Sequence, residues 1–351
     1  MTRNLRIGRN TVGPDHPPIV VAEISGNHGG TLDGALDLVR AAASAGAHAV
    51  KLQTYRPETM TTRSDRPDHR LPLDHPIWPG RTLWDLYEEA HTPIDWHPPI
   101  FALAAELGID CFSAPFDPAG VHLLESLDAP AYKIASSELV DLPLVRAAAE
   151  TGKPVILSTA MASLAEIDAA VRTVRSTGND DVVVLVCAPG YPADPAALNL
   201  RSFPALAGAL DVPVGLSDHT LGTAPAIAAV AQGAVLIEKH LTLSREDAPI
   251  DSAFSLTPSE LAELVTSTRT AWQALGDPTV GAPAGQEMPG LRYRRSLRVT
   301  QAVRPGDPVT TDNVRSLRPA GGLPPHEFDL AVGRTFRRAA HPGDPLTWDL
   351  I

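Results

Sequence analysis

The chain is short of cysteine, of lysine and of any long apolar run. Two cysteines among 351 residues, Cys111 and Cys187, make neither a disulfide framework nor a thiolate metal site. No run approaches the ~18–20 apolar residues of a membrane-spanning helix. The opening stretch, MTRNLRIGRN, lacks the apolar centre of a signal peptide. The expected compartment is therefore the cytosol, with no membrane partner. A net charge of −12 excludes a nucleic-acid binder, which needs a basic face for phosphate contacts. Lysine is the most informative scarcity. Against 25 arginines there are four lysines, Lys51, Lys133, Lys153 and Lys239. Arginine carries the ordinary solvated charge here, so a retained lysine is there either by chance or because a compact ammonium is needed. Lys51, Lys133 and Lys239 each lie at or near the end of an apolar run.

Hydrophobic residues make up 44% of the chain, enough for a large core. Charge is uneven along it. Residues 291–351 hold ten Arg against six Asp and Glu, a balance of +4 that leaves −16 on residues 1–290. Short β-branched apolar runs alternate with Ala/Leu segments of helical period. The runs are Ile19–Ile24, Ala49–Gln53, Ile109–Ala114, Ala131–Ala135, Pro154–Thr159, Val182–Cys187, Val212–Leu216 and Val235–His240. Alternating strands and helices imply a parallel sheet, and eight units in about 260 residues favour a closed (β/α)8 barrel, an α/β TIM barrel. The rival open sheet lacks a GxGxxG after its first strand. Thr54–Pro98 is too long for an ordinary βα loop and reads as an insertion over the barrel mouth, with LWDLYEEAH as a helix. These patterns predict a barrel domain over residues 1–275, a Gly/Pro-rich linker over 276–290 and a small β-rich module over 291–351. VRPGDPVTTDNV at Val303–Val314 is echoed by AHPGDPLTWDLI at Ala340–Ile351, which predicts pseudo-twofold symmetry in that module.

Chemistry in such a barrel sits at the C-terminal ends of the strands. The polar residues there include Glu23, Asn27, Lys51, Gln53, Lys133, Ser136, Ser158, Cys187, Tyr191, Ser217, His219, Glu238, Lys239 and His240. Two lysines and several hydroxyls at one mouth point to an anionic substrate, a phosphate or a carboxylate. His219 and His240 end neighbouring strands, so their imidazoles are placed to share one divalent metal. Glu23, on the strand closing the ring beside them, is a candidate base or holder of a water.

The segments AEISGNHGG (Ala22–Gly30), KLQTY (Lys51–Tyr55), YKIASSE (Tyr132–Glu138), GLSDHT (Gly215–Thr220) and IEKHLTL (Ile237–Leu243) resemble the sialic acid synthase family in order and over nearly the whole chain. LWDLYEEAHTPIDWH, DSAFSLTP and the terminal WDLI are similar to its pseudaminic acid synthase branch, and RRSL with VRSLRPAGGL resembles its antifreeze-like, or SAF, domain. The resemblance implies a transferase that condenses phosphoenolpyruvate with an open-chain N-acyl hexosamine, releasing phosphate and forming a nine-carbon 2-keto acid. It implies that His219 and His240 ligate Mn²⁺ or Mg²⁺, that Glu23 serves the attacking water, and that Lys51 and Lys133 bind the donor's charged groups. Ser136, Ser158 and Ser217 would add hydrogen bonds. Asn27, Gln53, Tyr191 and Asp251 would face the sugar, and Arg318 would reach its acyl group from the partner subunit of a domain-swapped homodimer.

Three departures from the family pattern stand near this site. Ala114 replaces Thr or Ser, Cys187 is followed by Ala188, Pro189 and Gly190 where the family has Thr and then Asn or Ser, and Ser158-Thr159 is followed by Ala160-Met161. The first two remove donors expected near phosphate, each worth ~1.5–3 kcal/mol on a charged group. They leave open an altered donor or acceptor. Two further readings stand beside the synthase: a non-catalytic sugar-binding homologue, and a Schiff-base aldolase using Lys133 or Lys239. For Lys239 the alternative is a salt bridge with a neighbouring carboxylate.

Overall fold

The computed structural model describes residues 4–246, 250–277, 280–281 and 290–351. The chain divides into two units, Met1–Gly276 and Asp277–Ile351. The linker expected over 276–290 lies mostly outside the described residues.

The first unit opens with a two-stranded antiparallel hairpin, β1 (Leu5–Ile7) and β2 (Asn10–Val12). The barrel strands follow: β3 (Ile19–Glu23), β4 (Ala49–Thr54), β5 (Asp110–Pro115), β6 (Tyr132–Ile134), β7 (Val155–Ser158), β8 (Val182–Cys187), β9 (Val214–Asp218) and β10 (Leu236–His240). All pair in parallel, and β10 returns to β3 to close the ring. Strands buried on both faces read as continuous apolar runs, which is why each predicted run matches a strand. The intervening helices begin at sequence-encoded caps. Ser163 and Glu166 form a capping box on Leu164–Arg175, and Thr257 and Glu260 do so on Pro258–Leu275.

Side chains alternate between the barrel interior and the helix layer. Ile19, Val21, Ala49, Phe112, Ala131, Ile156, Val183, Leu185 and Leu236 fill the lower interior together with Leu5, Ile7 and Val12 of the hairpin. Asp110 ties the hairpin on, its carboxylate accepting from Arg9 N at 2.9 Å and Asn10 Nδ2 at 2.8 Å. Gly215 is needed for close approach, since a Cβ there would collide with the Leu236 carbonyl of the neighbouring strand.

The insertion contains helices at Pro57–Met60 and Leu83–Ala90, the latter matching the predicted one. Its Trp78 Nε1 donates to Ile250 O at 3.1 Å, which ties the insertion to the segment after β10. Among the described residues no helix is long and apolar enough to cross a membrane.

The second unit pairs β11 (Ser296–Val299) with β12 (Val314–Leu317) around its own core, which includes Leu297, Val303, Val309, Phe336 and Leu346. The sequence echo is a structural one. Arg304 N donates to Asp307 at 2.7 Å, and the equivalent His341 N donates to Asp344 at 2.8 Å. The equivalent residues Val303 and Ala340 exchange backbone hydrogen bonds, as a pseudo-twofold axis between them requires.

Candidate active site

The inward rows of β3, β4, β6, β7, β9 and β10 turn polar at the C-terminal end. Lys51, buried, lies 2.7 Å from Glu23 Oε2 and 3.4 Å from Glu238 Oε1. Gln53 Nε2 donates to Glu23 Oε1 at 3.3 Å and to Ser25 Oγ at 2.9 Å. Ser217 Oγ donates to Glu238 at 2.9 Å. Lys133, 2% exposed, donates only to the backbone carbonyl of Ile134 at 3.2 Å and has no carboxylate at ion-pair distance among the described residues. Ser158 Oγ, also 2% exposed, has no hydrogen-bond partner. Both line a cleft of about 170 Å³. Glu238 acts on this ammonium only from beyond ion-pair distance, and a buried ammonium so weakly compensated, at a cleft with an unsatisfied hydroxyl, is costly unless an anion enters.

Charge is distributed unequally over this cluster. Burial raises Glu23 to about 7, with the Glu238 charge adding and Lys51 opposing. Burial also works against ionised Glu238, but Lys51 and Lys133 outweigh it and hold that carboxyl at about 2. Burial opposes the Lys51 ammonium too, yet Glu23 and Glu238 together raise its pKa. Lys133 is lowered, by burial first, with the Glu238 charge opposing and the positive charge of Lys51 adding.

His219 and His240 meet with ring centroids 5.3 Å apart. Burial takes His219 down to about 4, and burial with the neighbouring imidazole takes His240 well below its ordinary value, so both are neutral near pH 7. His240 Nδ1 is buried without a hydrogen bond, its nearest acid oxygen being Asp251 Oδ2 at 3.8 Å. Two neutral imidazoles, one with an unsatisfied buried nitrogen, suit a divalent ion. Among the described residues no third acidic, Cys or His side chain completes a cluster with them. A metal there would draw its remaining ligands from water or substrate. Tyr191 faces the same cleft, its ring 4.5 Å from His219.

Of the expected site residues, Glu23, Lys51, Gln53, Lys133, Ser136, Ser158, Tyr191, Ser217, His219 and His240 converge on this end of the barrel. Asn27 and Asp251 stand at its edge. Asn27 is spent on scaffolding, donating to Leu241 O and Ser255 Oγ at 2.8 Å and accepting from Asp251 N at 3.1 Å. Asp251 Oδ2 accepts from Ser25 Oγ at 2.5 Å, and Ser25 holds a left-handed φ of 48° to make that contact. Arg318 is exposed on the second unit. Lys239 turns away from the cleft, its ammonium 2.8 Å from Asp218 in a fully buried pair, as the salt-bridge alternative expects. Glu238 stands among the polar strand ends but is given no role by the motif. Strand alternation carries the signal, since Glu238 and His240 share the inward face that Lys239 leaves. Of the departures, Ala160, Met161, Ala188, Pro189 and Gly190 line the cleft, while Ala114 is buried opposite Gln53 in the β4–β5 register.

Comparison with known proteins gives concordant matches. Residues 38–279 match the NeuB family, and residues 294–351 match the SAF domain. The chain is 37% identical over 332 residues to a pseudaminic acid synthase of Campylobacter jejuni, covering 95% of this chain and 96% of that protein. It is likewise 37% identical over 337 residues to the pseudaminic acid synthase of Helicobacter pylori, covering 95% and 98%. Among solved structures, an N-acetylneuraminic acid synthetase of Leptospira borgpetersenii superposes with a TM-score of 0.73 at 31% identity, over 81% of this chain and 94% of that one.

Proposed function

Since the chain belongs to the NeuB family, we propose that it is a nonulosonic acid synthase of the pseudaminic acid type, joining phosphoenolpyruvate to an open-chain N-acyl hexosamine. The observation that carries this reading is the unpaired buried ammonium of Lys133 beside the unsatisfied Ser158 hydroxyl, across a small cleft from two neutral imidazoles. Such a cleft takes a compact anion on one side and an electron-rich ligand on the other.

In this reading Lys133, Ser136 and Ser158 hold the donor's charged oxygens, and Lys51 supplies a second positive charge that Glu23 and Glu238 keep in place. His219 and His240 would hold Mn²⁺ or Mg²⁺, which supplies positive charge to an aldehyde oxygen. The donor's methylene carbon bonds to the acceptor's aldehyde carbon, whose oxygen becomes a hydroxyl on taking up a proton. The cation left at the donor's central carbon is met by water. Glu23, ionised, takes a proton from that water, and Gln53 orients the carboxylate through its 3.3 Å hydrogen bond. The new hydroxyl then loses its proton as the carbon–phosphate oxygen bond breaks, so the water's oxygen becomes the ketone of the 2-keto acid and its two protons balance those taken by the aldehyde oxygen and the departing phosphate. Glu238, held ionised, offsets cationic charge in the cleft.

The reading extends to domain organisation: a synthase barrel over 1–275 and a SAF domain over 291–351 joined by the linker. Opposite charge on the two, −16 on residues 1–290 and +4 on 291–351, supports a homodimer in which each SAF domain caps the partner's mouth and presents Arg318 to the acceptor.

The test is incubation with phosphoenolpyruvate, Mn²⁺ and a panel of N-acyl hexosamines, reading product mass and phosphate. A nine-carbon product that disappears in chelator is expected. A lowered pKa at pocket-facing Lys133 favours one second reading, the Schiff-base aldolase. Borohydride with pyruvate separates the two, because only the aldolase is trapped as a covalent adduct.

A further inference from the structure

We propose that Trp78, on the insertion between β4 and β5, determines acceptor specificity by forming the outer wall of the acceptor subsite and favouring acceptors with larger N-acyl groups. This inference rests on the synthase reading above.

The insertion presents Trp78 in a fixed attitude. His75 Nδ1 accepts the backbone N–H groups of Ile77 at 3.3 Å and Trp78 at 3.1 Å. The His75 ring stacks on the indole with centroids 5.2 Å apart and planes 17° apart. The indole N–H is committed to Ile250 O at 3.1 Å. One side of the indole and its polar edge are therefore occupied, and the half-buried remainder offers apolar surface alone.

Ring contacts link that surface to the cleft. Trp78 lies 6.1 Å from Tyr191, ring to ring, and Tyr191 lies 4.5 Å from His219 and 5.1 Å from Phe254. A line of rings thus runs from the imidazole pair outward to the insertion. Apart from Asp251 at the edge, which accepts from Ser25 Oγ, the charges of the cleft stand at its inner end, at Lys51, Lys133 and Glu238. An open-chain acceptor whose aldehyde meets the imidazoles has its later carbons, and the acyl groups on them, along this wall. Apart from the Tyr191 hydroxyl these aromatic faces offer no free polar group, so they reward methyl groups over hydroxyls.

The test uses two acceptors alike except that one carries N-acetyl and the other N-formyl. Each is titrated by calorimetry into wild type, Trp78→Ala and Trp78→Phe, with Mn²⁺ present and the donor absent, and turnover is measured in parallel. Wild type is expected to prefer N-acetyl by about fourfold, the worth of one buried methyl. Trp78→Ala should weaken N-acetyl binding about tenfold and bring the preference close to one, with the KM for phosphoenolpyruvate unchanged. Trp78→Phe, which keeps a ring but loses the tether to Ile250, should retain most of the preference. An intact preference in Trp78→Ala overturns the wall. So does equal loss in Trp78→Phe, which would make Trp78 a structural tether, and so does wild type binding neither acceptor. Binding with the expected preference but without condensation would uphold the wall and overturn the synthase reading.

Discussion

At the lower end of the barrel Val21, Ala49, Ala131, Ile156 and Leu236 pack under Leu5, Ile7 and Val12 of the hairpin. Two residues further along the same inward rows stand Glu23, Lys51, Lys133, Ser158 and Glu238. The backbone and burial are alike at the two levels, and only the side chains differ. Below, every inward group is satisfied by contact with another apolar group. Above, charges are crowded into a buried space, where one ammonium has only a backbone carbonyl for a partner and one imidazole nitrogen and one hydroxyl have no hydrogen-bond partner. The lower end accounts for stability. The upper end gives up stability to keep unsatisfied groups ready for a ligand. Substitutions at one level should therefore leave the other's property in place.

The largest expected effect is at the upper level. Lys133→Met removes the unpaired ammonium and fits the apolar surroundings. Turnover should fall by a factor of about 10²–10³, as when a preorganised charge-stabilising group is lost, while thermal stability holds, because the desolvation relieved at Lys133 offsets the charge support it gives Glu238. Steady-state kinetics and a melting curve check both halves. Lost stability together with lost turnover would mean that Lys133 belongs to the scaffold.

Next comes the pH dependence of Glu23. With its carboxyl at about 7, the group is protonated on the acid side and cannot accept a proton from water. The rate should rise with pH through about 7, and Glu23→Gln should remove that limb along with most of the activity. The stability sign is opposite. A folded pKa above the ordinary 4.5 means that the native state holds this proton more tightly, so native stability falls as pH rises from about 4.5 to 7. Glu23→Gln should flatten that slope, measured as denaturant midpoint against pH.

At the lower level, Ile7→Ala should cost ~2–5 kcal/mol, since Ile7 is fully buried and the closed barrel end cannot collapse around the cavity. The KM values for donor and acceptor should stay within about twofold of wild type. A changed KM would show that the hairpin's packing reaches the mouth and would break the division between the two levels.

The upper level was more legible in the sequence than the lower. Doubly buried parallel strands write themselves as apolar runs, and their polar ends stand out against them. Lysine scarcity made Lys51 and Lys133 conspicuous. Glu238 passed unselected because it sits in a polar trio, Glu-Lys-His, whose members divide between two faces only once the strand's alternation is applied. Asn27 reads as a sugar ligand from its motif, but its amide is used up by Leu241 and Ser255, residues more than 200 positions away that only the closed barrel brings near. The hairpin was invisible because its strands have three residues each, too few for a periodic signal, and its burial depends on the finished barrel floor.

The smallest effect tests how far the upper level extends around the ring. Ala114 lies two residues beyond Phe112, which fills the lower interior, so Ala114 occupies the layer of Gln53, its register partner on β4. Ser113 between them faces outward, bonded to Thr54 Oγ1 at 2.6 Å. Strand β5 thus adds no polar side chain to the inner face where its neighbours add Gln53 and Lys133. Ala114 is 1% exposed, so Ser is the replacement that introduces a hydroxyl with least crowding. If the donor's phosphate or carboxylate reaches this strand, Ala114→Ser gains a hydrogen bond to a charged group. Such bonds are worth ~1.5–3 kcal/mol, but placement is not optimised, so the KM for phosphoenolpyruvate should drop by up to about tenfold. The KM for the acceptor should not move, because the wall's rings Tyr191, His219 and Phe254 follow β8, β9 and β10 across the ring, and Trp78 is tethered there through Ile250. An unchanged donor KM with unchanged stability would place the donor wholly on β6 and β7 and show that the alanine closes the site on that side.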